Sequence, residues 1–413
     1  MSPTVRALAQ RNYRLYFLGQ LVSLTGNWMQ QVALIWLTYR ITDSTFMLGL
    51  ITFSGQVPLL VLAPLGGVLS DRFDRRALLL RTQWLALGHA LLLATLAFTV
   101  PLQAWMLVCL ATLLGLINGV DQPVRQSFVA ELVEKAEDIP NAVALNSVVI
   151  HATRFVGPAI GGVVVGLVGE RMCFLLNALS FLGMIAALRA IRPRAVTRHR
   201  HRVLEALRSG FQYAYAHQHI RALLFIVTVM GFFGMAPITL LPWFAKKVFA
   251  GDAQAYGFLT AAAGIGSCIG ALFLASRRDA AAMNRNISRC ALIAALAVLA
   301  FSFTSQFWLA VPELMVLGFC TINVVSASNA LIHLMVDDHL RGRVMSIFTV
   351  AFFGVAPVGS LAAGTVSQVV SPRTALLVCA VLIFAAAAFV RLALKPGQAA
   401  AAPSSASDGA IRS

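Results

Sequence analysis

Three ionisable side chains lie inside long apolar stretches of the sequence, where a charge is costly. Arg154 lies in the middle of one stretch, Glu313 near the start of another, and Asp121 near the end of a third. A charge at the centre of a membrane costs at least about 2.5 kcal/mol unless it faces a cavity or a partner. Arg154 and Glu313 are therefore candidates either for an ion pair or for coupling proton movement to the function of the protein. Glu313 is the candidate proton carrier. The alternatives for Arg154 are a structural pair with Asp121 and a side chain that snorkels to the membrane surface. The alternative for Glu313 is a hydrated position at the membrane boundary.

A second group of charges lies in the short polar segment 67–76, which reads GVLSDRFDRR. Gly67 would let two helices approach closely. Asp71, at a helix end, can accept hydrogen bonds from the start of a facing helix, where the dipole is positive. Arg75, one turn later, is predicted to pair with Asp121. The alternative is that these charges only anchor a solvated loop. The candidate cluster comprises Gly67, Asp71, Arg72, Arg75, Arg76 and Asp121.

Polar side chains in the first apolar stretch recur at near-helical spacing, at Asn27, Gln31 and Thr38, with Trp28 beside them. They would share one helix face and could line a cavity for a large amphipathic ligand. Polar contacts between helices are the alternative, because such contacts are common in membranes. The stretch around Arg154 carries small residues that permit close helix packing and a proline that can bend the helix. These candidate packing residues are Gly157, Pro158, Gly161 and Gly162.

The elements that must position these residues follow from the composition. Of the 413 residues, 59% are hydrophobic and 12% are charged, whereas soluble domains average about 25% charged residues. A water-soluble fold is therefore excluded. Since a spanning helix needs about 20 apolar residues, we predict an all-α integral membrane protein with about twelve transmembrane helices. The predicted spans are 15–39, 46–69, 77–99, 102–123, 142–168, 171–191, 219–244, 254–276, 287–305, 307–330, 343–369 and 372–394.

The basic residues are distributed unevenly about these spans. Of the 32 lysines and arginines, 26 lie in segments on the same side as the N-terminus. The positive-inside rule predicts that this side, with both termini, is cytoplasmic. Topology therefore explains the net charge of +16 without nucleic-acid binding. Contact between the basic central loop and anionic membrane lipid stays open.

The basic loop divides the chain in two, and a weak repeat crosses the division. Gly157-Pro158 falls opposite Ala356-Pro357 when the fifth and eleventh spans are compared. Two six-helix halves with internal, inverted repeats are typical of a secondary transporter. We predict a six-helix half, a basic cytoplasmic linker, a second six-helix half and a low-complexity, disordered tail. Their bounds are 1–191, 192–218, 219–395 and 396–413.

Other classes of protein find little support. The six cysteines lie in apolar stretches without metal-ligand spacing, so they are interpreted as small buried hydrophobes, and no metal or cofactor is predicted. The sequence contains no HExxH, Walker A or GxSxG motif, which argues against an enzyme. A non-transporting sensor would need a signalling domain, and the longest polar segment, 192–218, has no core.

Several motifs carry a family resemblance. The segment 67–76 resembles the loop signature G-x-L-x-D-R-x-G-R-R/K of the major facilitator superfamily, with Asp74 where a glycine is usual. After glycine, aspartate is among the residues that best tolerate the left-handed backbone conformation of such a turn. The run GPAIGG at 157–162 is similar to a stretch of the superfamily's antiporters, although the fourth span lacks the mid-span arginine of many drug antiporters. Over most of 10–395, stretches such as GNWMQQVALIWLTYRITDST resemble a bacterial branch that includes the enterobactin exporter and related secretion transporters.

The resemblance implies roles for these residues. It implies that Asp71 faces the start of the eleventh span, and that the 67–76 cluster locks the two halves together on the cytoplasmic side when the protein faces outward. It also implies that spans one, four, seven and ten line the cavity. The candidate cavity residues are then Asn27, Trp28, Gln31, Asn118, Gln122, Phe232, Met235 and Asn323.

The resulting prediction is an exporter in the bacterial inner membrane. It would move a small amphipathic molecule, siderophore- or drug-like, by alternating access and proton antiport, and would act as a monomer. An importer or a lipid flippase of the same fold is the alternative.

Overall fold

The computed structural model describes residues 3–192, 212–277 and 279–393. Twelve long helices run through these residues, and no strand occurs among them. The first six are α1 (Arg11–Thr42), α2 (Thr45–Arg72), α3 (Arg75–Thr99), α4 (Ala104–Phe128), α5 (Ile139–Val168) and α6 (Glu170–Ala190). The last six are α7 (Gln218–Val248), α8 (Ala253–Ala275), α9 (Ala280–Phe303), α10 (Phe307–Met335), α11 (Leu340–Val369) and α12 (Pro372–Ala393).

The helices confirm the predicted all-α membrane fold. Within the described residues, eleven helices are long and apolar enough to cross a membrane, by length and composition. Helix α1 is not among the eleven, although it is 32 residues long. Its polar residues lower its hydropathy, and several of them, such as Gln20, Ser23 and Gln30, are buried against other helices.

Short polar turns set the helix ends. Ser44 caps α2 by accepting a hydrogen bond from the Met47 backbone N–H, and Asp252 caps α8 through the N–H of Gln254 at 2.9 Å. Asp74 caps α3 in the same way, because its Oδ1 accepts from the Ala77 N–H at 2.6 Å. The left-handed turn considered for Asp74 is therefore wrong. Its φ is −61°, and a helix cap explains an aspartate at this position.

Two helices carry a π turn, in which one extra residue widens the helical turn. Helix α7 is helical over Gln218–Phe233 and Ala236–Trp243 and ends in a π turn, Phe244–Val248. Helix α11 contains a π turn at Val350–Gly354, after which Ala356–Val369 continues as α-helix.

Glycines bring α2 and α4 into backbone contact. A Cβ added at Gly66 would lie 2.6 Å from the Gly119 carbonyl oxygen, and one at Gly115 would overlap the carbonyl of Gly55. In this arrangement Gly67 makes no close helix approach, so its predicted role in closing the cytoplasmic end stays a prediction. A Cβ at Gly67 would meet no neighbouring atom within 4 Å in the described structure, because the contact face of α2 passes through Gly66 instead.

The first and last six helices meet closely at one end of the bundle, which we call the closed end and which carries the Thr42–Thr45 turn. There α5 packs on α8, where a Cβ at Gly162 would lie 2.8 Å from the Gly257 Cα atom. Helix α2 packs on α11 in a similar way, and a Cβ at Gly364 would lie 3.1 Å from the Gly49 Cα atom. The closed end is therefore held by two pairs of small residues.

At the other end, where α1 begins, the same helix pairs diverge. We call this the open end. Extending the α5–α8 register places Val148 opposite the region of Leu272, yet these side chains are 58% and 67% exposed. Extending the α2–α11 register places Val61 opposite the region of Val350, and these are 66% and 59% exposed. The two sets of six helices thus form a V that opens at this end.

The predicted division of the chain into two halves with the bounds given above stays a prediction. Most of the predicted linker, residues 193–211, and the predicted tail, 396–413, lie outside the described residues. Residues 212–216 are helical and precede α7.

Candidate transport site

Arg154 lies on the interior face of α5, at the apex of the V. It shares this face with Gly157 and Pro158, three and four residues later. A Cβ at Gly157 would meet the Cβ of Trp28 on α1, and the Pro158 carbonyl lies against Gly257 of α8. Arg154 therefore points into the seam between α1 and α8, away from the membrane-facing side of α5.

The environment of the Arg154 guanidinium is aromatic rather than acidic. Its Cζ atom lies 5.6 Å from the centroid of the Trp28 ring, within range of a cation–π interaction. No carboxylate forms an ion pair with it among the described residues. His151 lies one turn earlier on the same helix, and its buried Nδ1 has no hydrogen-bond partner in the described structure. The site thus holds one cation and an unsatisfied ring nitrogen.

Asp121 is bound inside the first six helices and does not pair with Arg154. Its carboxylate lies 2.9 Å from Arg125 Nη2, one turn later on α4. It also accepts hydrogen bonds from Thr82 Oγ1 at 2.6 Å and Gln83 Nε2 at 2.8 Å on α3. The alternative of an Arg154–Asp121 pair is therefore wrong, and Asp121 instead joins α3 to α4.

The segment 67–76 is tied to its own set of six helices. Arg75 Nη1 lies 2.9 Å from Glu131 Oε1, and its Nη2 lies 3.6 Å from Asp71. The predicted Arg75–Asp121 pair is wrong, because Glu131, in the short helix that follows α4, takes the place of Asp121. Arg76 donates to the carbonyls of Leu188 and Arg189, both at 2.7 Å, and so caps the end of α6.

Arg72 is exposed, as are its neighbours Phe73 and Asp74. The contact of Asp71 with the start of α11, which the resemblance implies, belongs to a different arrangement of the two halves and stays a prediction. In the V-shaped structure, α2 meets α11 at the closed end, through Gly49 and Gly364.

The polar residues of α1 divide into two groups. Asn27 and Gln30 accept hydrogen bonds from the Asn177 side chain of α6, at 3.3 and 2.9 Å. Gln31 is exposed, and Trp28 is half-buried beneath Arg154. Trp28 and Gln31 are thus accessible in the middle of α1, whereas Asn27 shares its amide with α6.

The remaining cavity candidates have different surroundings. Gln122 is exposed, whereas Asn118, Phe232 and Met235 are half-buried. The prediction that Asn323 lines the cavity is wrong. It is fully buried, donates to the carbonyls of Gly270 and Phe319, and accepts from Asn286, so that it ties α10 to α8 and α9.

The glycines of α5 serve two neighbours. A Cβ at Gly161 would lie 3.0 Å from the Met29 Cα atom of α1, on the same side as Gly157. Gly162 contacts α8 through Gly257 and Ala253. Helix α5 therefore joins its own six helices to the other six at the closed end.

Glu313 lies at the closed end, in the second turn of α10. Both carboxylate oxygens accept hydrogen bonds from Thr304 Oγ1, at 2.7 and 2.9 Å. Thr304 belongs to the turn between α9 and α10. Glu313 is thus half-buried near the boundary of the membrane and far along the bundle from the open end.

An ionic contact that the sequence did not predict crosses the closed end. Asp43, in the left-handed turn after α1 (φ 47°), lies 3.4 Å from Lys246 Nζ and 2.7 Å from Lys247 Nζ of α7. Hydrogen bonds from Lys247 and then Lys246 lower the pKa of Asp43 below its ordinary value. The signal for this contact was available, because Lys246 and Lys247 are lysines on the side that the positive-inside rule leaves poor in them.

We expect Asp43→Asn to weaken the closed end. A carboxyl whose pKa is lowered by the contact stabilises closure while it is ionised and loses that contribution as pH falls through the lowered pKa. The pair is solvent-exposed, so the closed-to-open ratio should fall by about fivefold at most. Spin labels at the exposed residues Thr99 and Ser305 would report the distance across this end. A variant that keeps the acid-induced opening of the wild type would contradict this role.

The described residues contain no group of three or more His, Cys, Asp or Glu side chains that could hold a metal ion. The site is therefore built from a cation, aromatic rings and amides, a set suited to non-covalent recognition of an organic molecule.

Comparisons with known proteins concern the whole chain rather than single residues. The model of a family described as transmembrane secretion effector matches residues 2–410. A staphyloferrin A transporter of Staphylococcus aureus is 25% identical, over 84% of this chain and 87% of its own length. A multidrug efflux pump, Tap, of Mycolicibacterium fortuitum is 24% identical, over 86% of this chain and 88% of its own length.

Solved structures share the fold. A peptide transporter, POT, superposes with a TM-score of 0.76 at 11% identity and covers 94% of this chain and 96% of its own. A bacterial homologue of the lysosomal transporter Spinster, in an inward-facing and unoccupied conformation, superposes with a TM-score of 0.70 at 14% identity. The match covers 93% of this chain and 97% of the homologue. The family and these relatives are transporters rather than enzymes. With its twelve long helices, the chain belongs to the transmembrane secretion effector family of major facilitator superfamily transporters.

Proposed function

We propose that this protein exports a small amphipathic molecule from the bacterial cytoplasm by alternating access. The observation that carries the proposal is the V of helices, closed at one end and open at the other, with Arg154 at its apex. Relatives that are named as a staphyloferrin A transporter and a multidrug efflux pump support export of such a molecule.

The distribution of basic residues supports an orientation in the plasma membrane. The positive-inside rule assigns the open end, where α1 begins, to the cytoplasm, together with both termini. In that orientation the structure faces inward, ready to accept a substrate from the cytoplasm. The halves 1–191 and 219–395 would then rock about the apex, and a single chain would suffice as the working unit.

In the outward-facing state the same halves would meet at the cytoplasmic end. There the 67–76 segment would act as the lock, with Asp71 accepting hydrogen bonds from the start of α11. The Arg75–Glu131 pair would hold that segment in shape in both states, since it lies within one half.

Transport in everted membrane vesicles tests the proposal. Vesicles from cells that express the chain should take up substrates from a panel of siderophores, macrolides and lipophilic cations when respiration acidifies the lumen. A protonophore should abolish that uptake. Accumulation by intact cells instead would favour an importer, and movement of labelled phospholipid alone would favour a flippase.

Proton antiport rests on an acid that changes its charge, and Glu313 is the proposed carrier. Glu313→Gln mimics the protonated carboxyl permanently, so uphill efflux should fail while passive substrate exchange continues. Both rates would be measured in the same vesicles, with Glu313→Asp as the variant that keeps the charge. Thr304→Val is a matched control for loss of the local hydrogen bond. Unchanged uphill efflux in Glu313→Gln would assign coupling to another group.

A further inference from the structure

We propose that the substrate is an organic anion, and that Arg154 binds its acid group while the Trp28 ring packs against an adjoining planar group. This inference rests on the proposed function and names the substrate class of the same site. It follows from the seam between α1, α5 and α8, where a cation lies over a half-buried indole, and from an unsatisfied ring nitrogen one turn earlier on α5.

The position of Arg154 excludes a role as a membrane-surface anchor. The opposite face of α5 carries Ile160 and Leu167, which are exposed apolar side chains suited to lipid. On the face of Arg154, Ser147 lies two turns nearer the open end and is exposed. The face that carries Arg154 is therefore polar and exposed at Ser147, on the side of the open end.

The charge of Arg154 lacks a partner within the described protein. Other interior charges are paired there, as Arg125 is with Asp121 and Arg75 with Glu131. A guanidinium that is left without a carboxylate offers a planar set of donors that fits a carboxylate in a bidentate manner. The missing carboxylate partner of Arg154 would therefore be an acid group of the substrate.

The groups around Arg154 also favour a planar organic anion as the ligand. The Trp28 ring already lies against the guanidinium at 5.6 Å, so a planar ligand group next to the acid would extend the stack. The nearby His151 can donate a hydrogen bond through one ring nitrogen when its tautomer allows. A cationic ligand would meet the unpaired charge of Arg154 and be disfavoured.

Direct binding tests this class without requiring transport. The probes are naphthalene-2-carboxylate and naphthalene-2-carboxamide, which share ring and shape and differ in charge. Calorimetric titration of the purified full-length protein should give about tenfold tighter binding of the carboxylate. Arg154→Gln should remove that preference, and Arg154→Lys should restore only part of it, because Lys lacks the planar fork.

A matched control comes from another arginine that lies over a tryptophan. Arg189 lies 5.4 Å from the centroid of the Trp84 ring, at the exposed end of α6. Arg189→Gln removes the same charge and should keep the carboxylate preference. Trp28→Leu should weaken both probes while the preference for the carboxylate persists, which provides a second test if Arg154→Gln fails to fold.

Several results would overturn the inference. Equal binding of the two probes to the wild type, absence of carboxylate binding up to millimolar concentration, or a preference that survives in folded Arg154→Gln would each do so. A protein that binds the carboxylate through Arg154 but transports nothing would instead refute the proposed function and support this anion site.

Discussion

Gly162→Leu should abolish most transport while the chain still folds and inserts. A Cβ at this position would already lie 2.8 Å from both the Ala253 carbonyl oxygen and the Gly257 Cα atom, which are backbone atoms that cannot rotate away. Overpacking of this kind costs about 1–3 kcal/mol, so the closed-to-open ratio at this end should fall by about 5- to 150-fold. The Thr99–Ser305 spin-label distance should lengthen as transport falls.

The control for this substitution is Gly183→Leu. Gly183 is an exposed glycine of α6, and a Cβ there would meet nothing within 4 Å in the described structure. This variant adds the same side chain in the middle of a helix, at a position without neighbours, and should transport normally. An unchanged spin-label distance would show that Gly162 does not set the closure of this end. Normal transport despite a longer distance would show that closure at α5–α8 is not required for the cycle.

Asp121→Leu should strongly destabilise the first six helices. It removes the carboxylate that binds Arg125, Thr82 and Gln83, and so leaves a buried guanidinium uncompensated. Breaking a buried pair in this way costs about 3–5 kcal/mol. Unfolding of the purified protein, followed by helix content during heating, would measure the decrease.

The double variant Asp121→Leu/Arg125→Met separates an ionic cause from a change of shape. Replacing both partners by apolar side chains is often neutral, so most of the lost stability should return. If the double variant is as unstable as Asp121→Leu, the hydrogen bonds of Asp121 to α3 carry the stability instead. Either variant would also test whether Asp121 contributes to proton coupling.

The helices were predictable because each is a long apolar run that ends at a polar turn. The predicted span 46–69 corresponds to α2, which ends at Arg72, and 171–191 corresponds to α6. Boundaries differed most where a helix begins in polar sequence, as α9 does at Ala280, seven residues before the predicted start at 287. Apolar composition sets the membrane portion of a helix, whereas capping sets its end.

Partners of charged residues were harder to predict than helices. The prediction paired Arg75 with the only acid inside the fourth span, yet Glu131 lies beyond that span in a short helix. Asn323 lies in a helix that was expected to line the cavity, but its side chain hydrogen-bonds to α8 and α9. Helix rotation decides such contacts, and apolar periodicity is weak when both lipid and protein neighbours are apolar.

The π turn at the end of α7 has an evolutionary consequence for Asp43. A π turn is an α-helix that has gained one residue, and that residue turns everything beyond it by about 100°. Here the turn spans Phe244–Val248 and so contains both lysines that reach Asp43. Ancestors without the inserted residue would direct these lysines elsewhere, so the ionic contact and the insertion should be inherited together. Among homologues, loss of one residue at 244–248 should accompany loss of the acid at position 43.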